Sequence, residues 1–343
     1  MKRGFAILLT LGLLLTGCAA PAAETDNTQQ YTATFLNLFD TVTTIIGRAA
    51  DEETFRTMSQ EIHDNLLFYH ELFDIYNDYE GVNNLKTVND NAGIAPVKVD
   101  KAIIDLLTDC RQFYELSGSK VNVMMGSVLY LWHEARNAGI NDPVNAKLPD
   151  MEALREASKH CSFDLLVIDE AASTIFITDP HARLDVGAVA KGWATQRAAE
   201  NAPSGMLISV GGNVCATGPK LADGTPWVIG IQDPDAAEKN LHTLFVTENS
   251  VVTSGDYQRT YWVEGEAYHH IIDPDTLMPA ANWRSVSIIC PDSGLADALS
   301  TALFLMDREA GEALAEKSGA EVLWVKADGT EYMTDGFQEM LRT

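Results

Sequence analysis

The sequence predicts a single large α+β domain, with mostly antiparallel sheets flanked by helices. Three observations carry that expectation. Stretches with helical and with strand periodicity neither alternate strictly nor separate into two halves, which argues against a repeated βαβ design. Short turn signals, Glu170-Ala171-Ala172-Ser173 and Asp328-Gly329, join neighbouring strand-like runs as hairpins do. With 343 residues, 46% of them hydrophobic, the chain can bury one sizeable core.

In chain order, residues 35–48 (FLNLFDTVTTIIGR) are rich in Thr, Val and Ile and are expected as a strand. Residues 51–76 follow as a helix, because Phe55, Met58, Ile62, Leu66, Tyr69 and Phe73 recur at three- and four-residue steps. A loop rich in Asn, Asp and Gly is expected from 77 to 93. A second helix, about 99–117, stops at the cap Ser117-Gly118. The second half is strand-rich. A hairpin is expected across 165–169 and 174–178, then strands at 206–210, 227–232, 257–264, 267–272 and 284–290. Helices are expected at about 188–202 and 296–305, with a short one after Asp307, before closing strands at 322–326 and 331–333.

The N-terminus reads as an export signal. Lys2 and Arg3 precede an apolar run from Phe5 to Leu15, too short to span a bilayer in a mature protein. The run ends in Leu15-Thr16-Gly17-Cys18, which resembles the bacterial lipobox, where cleavage precedes a Cys that is then acylated. The expected organisation is a signal peptide over 1–17, a lipid-anchored Cys18 with a polar tether over 18–34, and one folded domain over 35–343. Such a protein sits on the outer side of the cell membrane, held by its acyl chains.

Formal net charge is −25, with 24 Lys and Arg against 49 Asp and Glu. That balance argues against nucleic acid as a partner, because phosphate backbones are bound chiefly by cations. Cys110, Cys161, Cys215 and Cys290 form no CxxC or CxxH pair, so zinc is poorly supported and their spacing leaves pairing open.

Five short segments carry chemistry. Asp185-Val186-Gly187-Ala188-Val189-Ala190-Lys191-Gly192-Trp193 lies where a strand passes into a helix, so its small residues allow close approach to an anion at the helix N-terminus. Lys191 there opposes the helix dipole, which is reasonable beside a phosphate; alone, the stretch is equally a glycine-rich turn with a surface lysine. Ser209-Val210-Gly211-Gly212-Asn213 and Thr253-Ser254-Gly255-Asp256-Tyr257 are turns open to a ligand or to ordinary loop chemistry. His269-His270-Ile271-Ile272-Asp273-Pro274 puts histidine beside an acid at a strand end. In Ala296-Asp297-Ala298-Leu299-Ser300-Thr301, Asp297 and Thr301 share a helix face and offer hard oxygens suited to Mg²⁺ or Ca²⁺; the plainer alternative makes Asp297 a helix N-cap.

Together, DVGAVAKGW, SVGGN, TSGDY, HHIIDP and ADALSTALF, with the earlier FDTVTTI and IYNDYEGVNN, resemble the ApbE family, the FAD:protein FMN transferases, over roughly residues 35–340. The resemblance implies a Mg²⁺-dependent enzyme that splits FAD, attaches the FMN half through its phosphate to a Thr or Ser of a target flavoprotein, and releases AMP. An exported or membrane flavoprotein subunit of a redox complex is the implied partner. By motif, Asp185 and Lys191 would contact FAD, as would Ile272 through its backbone. Phe39 and Tyr76 would make flavin- or adenine-side contacts. Metal ligands would be the Ala188 carbonyl, Asp297 and Thr301, with Ser300 weaker. Lys120-Val121-Asn122 occupies a further FAD-contacting stretch, but Asn122 stands where relatives usually carry Asp. His270 is the candidate base, with Asp273 or Asp256 in reserve, and Lys191 would face the developing AMP leaving group. Two rivals stand beside it: a Mg²⁺-dependent FAD pyrophosphatase using the same site with water as acceptor, and a non-catalytic flavin-binding lipoprotein, which would explain the lipobox and a ligand cleft but not the metal-ligand helix.

Overall fold

A computed structural model describes residues 28–342. The export signal, Cys18 and most of the tether lie outside the described residues.

The N-terminal half runs β1 (Gln29–Leu38), β2 (Thr41–Ala49), α1 (Glu52–Phe73), α2 (Leu85–Asp90), β3 (Val97–Lys98), α3 (Lys101–Leu116), α4 (Gly126–Asn141), α5 (Met151–Ser158), β4 (Leu166–Asp169) and β5 (Thr174–Ile177). The C-terminal half continues with α6 (Ala190–Glu200), β6 (Leu207–Val210), β7 (Asn213–Ala216), β8 (Trp227–Asp233), β9 (Ala236–Val246), β10 (Ser250–Gly255), β11 (Tyr261–Val263) and β12 (Glu266–Tyr268). It closes with β13 (Ser285–Cys290), α7 (Ser293–Phe304), α8 (Arg308–Ser318), β14 (Glu321–Val325), β15 (Glu331–Met333) and α9 (Asp335–Glu339).

One eight-stranded sheet, ordered β1-β2-β6-β7-β10-β13-β14-β15, organises the molecule, and every pairing in it is antiparallel. The period of two along its central strands feeds two cores. In β13 and β14, Val286, Ile288, Val322 and Trp324 face the core shared with α1, α3, α6 and α7. Their neighbours Ile289, Leu323 and Val325 pack instead with Trp227, Ile229 and Leu244 of the β8–β9 hairpin. A third cluster, including Val128, Trp132, Leu154, Tyr261 and Ile272, joins α4 and α5 to the segment that carries the HHIIDP motif.

Helix α1 forms as its periodicity predicts. Asp51 caps it by accepting from the Thr54 amide at 2.8 Å, and Glu52 and Glu53 complement the N-terminal dipole. Helix α7 begins at Ser293, capped by Asp292 through the Leu295 amide at 2.7 Å. Asp297 is therefore inside the helix, which removes its reading as an N-cap.

Several expectations are corrected. The strand expected over 35–48 is a hairpin, β1 and β2, with Phe39 and Asp40 forming the turn at φ 51° each. Two left-handed residues suit a two-residue hairpin turn, but without Asn or Gly each costs about 1 kcal/mol, so the sequence carries no turn signal there. The expected loop 77–93 holds α2, capped by Asn84 through the Thr87 amide at 3.0 Å. Residues 118–164, unassigned from sequence, contain α4 and α5; α4 has no side-chain cap to announce it. The SVGGN and TSGDY motifs lie largely within β6, β7 and β10. The strands expected at 257–264 and 267–272 shrink to β11 and β12, and the helix after Asp307 runs for 11 residues. The described cysteines, Cys110, Cys161, Cys215 and Cys290, are all buried free thiols.

Candidate active site

The main cleft opens where the β1–β2 turn, the ends of β7 and β10, the N-terminus of α6 and the middle of α7 converge. Twelve sequence-derived residues line it: Phe39, Tyr76, Lys120, Val121, Asn122, Asp185, Ala188, Lys191, His270, Ile272, Asp297 and Thr301. The fold thus gathers residues from six separate stretches of sequence into one place.

Its centre is the crossing of α6 and α7. The Gly192 amide donates to Asp297 Oδ2 at 2.8 Å, and Lys191 Nζ lies 3.6 Å from the same oxygen and 3.3 Å from the Gly187 carbonyl. Asp297 is only 4% exposed. In an uninterrupted helix the Gly192 amide would bond to the Ala188 carbonyl. Because it turns to Asp297, no backbone amide among the described residues donates to the Ala188 oxygen. Helix α6 also has no side-chain cap at its N-terminus. The Ala188 carbonyl, the Asp297 carboxylate and the Thr301 hydroxyl are thus hard oxygens lining one cleft. One carboxylate with neutral oxygens fits Mg²⁺, which usually completes its shell with water and substrate phosphate. Among the described residues no cluster of three His, Cys, Asp or Glu offers a competing, softer site.

Gly192 is required there by packing. A Cβ at this position would overlap the Ser293 carbonyl oxygen and Asp297 Cβ. Gly192→Ala is expected to push α6 from α7 and to lower stability by about 1–3 kcal/mol, the range for overpacking. It should also weaken binding of any divalent cation held by Asp297 and Thr301. Urea unfolding and titration calorimetry check the two effects.

Ser300 and Asp273 fall outside the cleft lining. The Ser300 hydroxyl is fully buried, donating to the Asp297 carbonyl at 2.8 Å and lying 2.8 Å from Ser254 Oγ. It braces α7 against β10 rather than facing a ligand. Asp273 Oδ1 lies 3.1 Å from Lys120 Nζ and accepts from the Asp275 amide at 3.0 Å, while Asp275 takes Lys120 at 2.7 Å. Its carboxylate orients Lys120 instead of serving as a free base. Asp256 is paired with Arg284 and also lies off the cleft, its carboxyl pushed up by burial.

Of the three candidate bases, His270 is the one that lines the cleft. Its Nδ1 lies 3.2 Å from the Gln258 carbonyl, which can only accept, so Nδ1 carries the proton and Nε2 keeps the lone pair. Burial, with help from Arg259, His269 and Lys191, pushes its pKa down to about 3. The ring is neutral at physiological pH, and an anion against those cations would restore part of its basicity.

Asn122, at a position where the family resemblance leads one to expect an acid, is held through both ends of its amide. Its Oδ1 accepts from the Met124 amide at 2.9 Å and its Nδ2 donates to the Cys161 carbonyl at 2.8 Å, a donation no carboxylate can make. Asp185 Oδ1 accepts from the Gly187 amide at 2.9 Å, and its own amide reaches the Val123 carbonyl at 2.8 Å, tying the two stretches together. Tyr76 Oη lies 2.9 Å from His133 Nδ1, and burial followed by the Asp185 charge pushes its pKa up to about 12.

Sequence reasoning missed Arg259 and His133, which also line the cleft. Arg259 sits at φ 50° in a short loop, and His133 on a helix without a cap signal, so neither position is legible locally. With Lys120 and Lys191, Arg259 brings three cations to a lining that also carries the carboxylates of Asp40, Asp74, Asp185 and Asp297. Asn213, at the end of the double-glycine turn, lines it too; it is 3% exposed and its Nδ2 has no partner among the described residues. Buried donors are rarely left unpaired, so Asn213 marks a place for an acceptor on the ligand.

The sequence profile of the ApbE family matches residues 39–324. The chain is 35% identical over 277 residues to the FAD:protein FMN transferase of Treponema pallidum, covering 75% of each protein. It is 28% identical over 345 residues to that of Vibrio cholerae, covering 98% of this chain and 96% of the relative. The fold is similar to an ApbE protein from Thermotoga maritima, with a TM-score of 0.79, 29% identity, and coverage of 92% of this chain and all of that one. It is also similar to the flavin transferase ApbE from Vibrio cholerae, at a TM-score of 0.74 and 25% identity over 92% of this chain and all of that one.

Proposed function

The chain belongs to the ApbE family, and on that premise we propose that it transfers FMN from FAD to a Thr or Ser hydroxyl of a target flavoprotein. The observation that carries this reading is the α6–α7 crossing, where Lys191 lies beside Asp297 in a cleft also lined by Thr301 and Ala188. FAD would lie with its diphosphate at that crossing. Phosphoryl transfer asks chiefly for charge neutralisation and in-line placement, which such a site supplies.

His270 Nε2 would take the proton of the acceptor hydroxyl as its oxygen bonds to the FMN phosphorus. The phosphorus–oxygen bond to AMP breaks, and AMP leaves with the bridging oxygen and the negative charge. Lys191 would stabilise that charge, and Arg259 and Lys120 would hold the dinucleotide's anionic portion. Asp297, Thr301 and the Ala188 carbonyl would hold Mg²⁺, which supplies Lewis-acid charge to the diphosphate oxygens when bound. Incubating the enzyme, FAD and Mg²⁺ with a Thr-containing flavoprotein subunit should add one FMN less one water to the acceptor's mass, with AMP appearing in equal amount. FMN and AMP accumulating while the acceptor stays unmodified would favour the pyrophosphatase, and intact FAD the binding protein.

The exported, lipid-anchored placement belongs to the same proposal, since a membrane flavoprotein subunit outside the cytoplasm would be within reach of a tethered enzyme. Cys18→Ala should move the protein from the membrane to the soluble fraction without changing transfer in detergent-free assays. Retention with the membrane would contradict acylation at Cys18.

A further inference from the structure

Two of the aromatic side chains lining the cleft, Phe39 and Tyr76, come from separate segments, yet one hydrogen-bond chain joins their backbones. The Phe39 amide donates to His70 Nδ1 at 3.2 Å. An amide can only donate, so Nδ1 accepts and the ring proton sits on Nε2. His70 Nε2 lies 3.3 Å from Tyr79 Oη, and Tyr79 donates in turn to Asp74 Oδ2 at 2.8 Å. The other oxygen of Asp74 accepts from the Tyr76 amide at 2.6 Å and the Asn77 amide at 3.1 Å. Each member therefore has one consistent role, and the chain runs Phe39, His70, Tyr79, Asp74, Tyr76.

The charges agree with those roles. Burial tends to raise the Asp74 carboxyl, but hydrogen bonds from Asn77, Tyr76 and Tyr79 outweigh it and hold the pKa below the usual value. Tyr79 is raised by burial and by Asp74, so it remains a donor. Phe39 needs such a latch more than most residues. Its left-handed backbone is unfavourable for a bulky side chain, and its ring packs edge-on against His70 with centroids 5.4 Å apart. Strain of this kind persists where surrounding contacts over-determine it, typically at ligand clamps. Tyr76 is held at its far end by His133. His70, Tyr79 and Asp74 have no part in the phosphoryl transfer described above, and two of the three, His70 and Asp74, line the same cleft.

We infer that His70, Tyr79 and Asp74 are positioning residues that hold Phe39 and Tyr76 as an aromatic clamp for a flat heteroaromatic ring of the dinucleotide. The inference rests on the cleft being a dinucleotide site. It assigns the hydrogen-bond chain to ring recognition, separate from the α6–α7 crossing at which the diphosphate would lie. The ring is either the isoalloxazine or the adenine, and fragments of FAD tell them apart.

The test is binding of FMN and of ADP, each with Mg²⁺, to the wild-type protein and to His70→Leu, His70→Asn and Tyr79→Phe. For His70→Leu, affinity should fall about tenfold for the one fragment carrying the clamped ring, as expected for a weakened stacking contact, and change little for the other. Loss confined to FMN assigns the isoalloxazine, and loss confined to ADP the adenine. His70→Asn keeps an acceptor for the Phe39 amide and should recover most of the loss, while Tyr79→Phe should fall between. If the isoalloxazine is clamped, the visible absorption shift of bound FMN should shrink in the same order. Equal losses for both fragments, or a lowered Tm with unchanged affinities in Tyr79→Phe and His70→Leu, would overturn the clamp. Should the wild-type protein bind neither fragment, the dinucleotide reading itself falls, a result distinct from failure of the clamp.

Discussion

Asp297→Ala is expected to lower FMN transfer by roughly 10³-fold or more, the scale of removing a ligand that holds catalytic charge. Asp297 brings the only carboxylate among the three proposed metal donors, and it is almost wholly buried. Its loss would also strip the Gly192 amide of its acceptor and Lys191 of its counter-charge. An unpaired buried amide costs about 1–3 kcal/mol, so a moderate fall in stability should accompany the kinetic loss. Asp297→Asn separates the two effects. Its side-chain oxygen can still accept from Gly192, so the crossing should hold and stability should change little, while metal affinity and turnover collapse. Steady-state transfer measured across a Mg²⁺ series, beside urea unfolding, reads both. Unchanged activity at limiting Mg²⁺ in either variant would contradict the assignment of Asp297.

Lys191→Ala is expected to cost about 10²-fold in kcat/KM, from loss of one positive charge facing the phosphates. Lys191 is the second residue of α6, where its charge is unfavourable to the helix dipole. The same residue lies near the Gly187 carbonyl and Asp297 and is largely shielded from solvent. Asp297 meets that charge in part, and an anionic ligand would meet it further. Removing Lys191 takes a counter-charge from the buried Asp297, so a modest loss of stability is expected beside the kinetic one. A fall in kcat would place Lys191 beside the leaving AMP, whereas a rise in KM alone would restrict it to binding. Kinetics equal to wild type would refute any phosphate role. The same anion should matter to His270, whose basicity is lowered by burial first and then by Arg259, His269 and Lys191.

The legible part of the site consists of short-range patterns. The i, i+4 pairing of Asp297 with Thr301, the small residues around Ala188 and the lysine against a dipole are short-range patterns, and the fold brings all of them to one cleft. The α1 helix and the closing hairpin were equally legible, because their periods and turn residues are explicit. What was not legible depends on tertiary context. Nothing in Phe39-Asp40 announces a turn, since its left-handed backbone is held by a histidine 31 positions away. Ser300 looks like a ligand on the helix face until its hydroxyl is seen bonded to Asp297 and Ser254. Asp273 looks like a base until Lys120, from a segment about 150 residues earlier, is found on it. Asn122 departs from the acid that the family resemblance leads one to expect, and the Cys161 carbonyl to which it donates lies 39 residues on.

The site itself is tested most directly by anomalous diffraction from a crystal of the protein soaked with FAD and Mn²⁺ as a visible substitute for Mg²⁺. A single anomalous peak within bonding distance of the Asp297 carboxylate, the Thr301 hydroxyl, the Ala188 carbonyl and the diphosphate is the expected result. Bound FAD with the ion elsewhere, or with no ion beside its diphosphate at saturating Mn²⁺, would contradict the account.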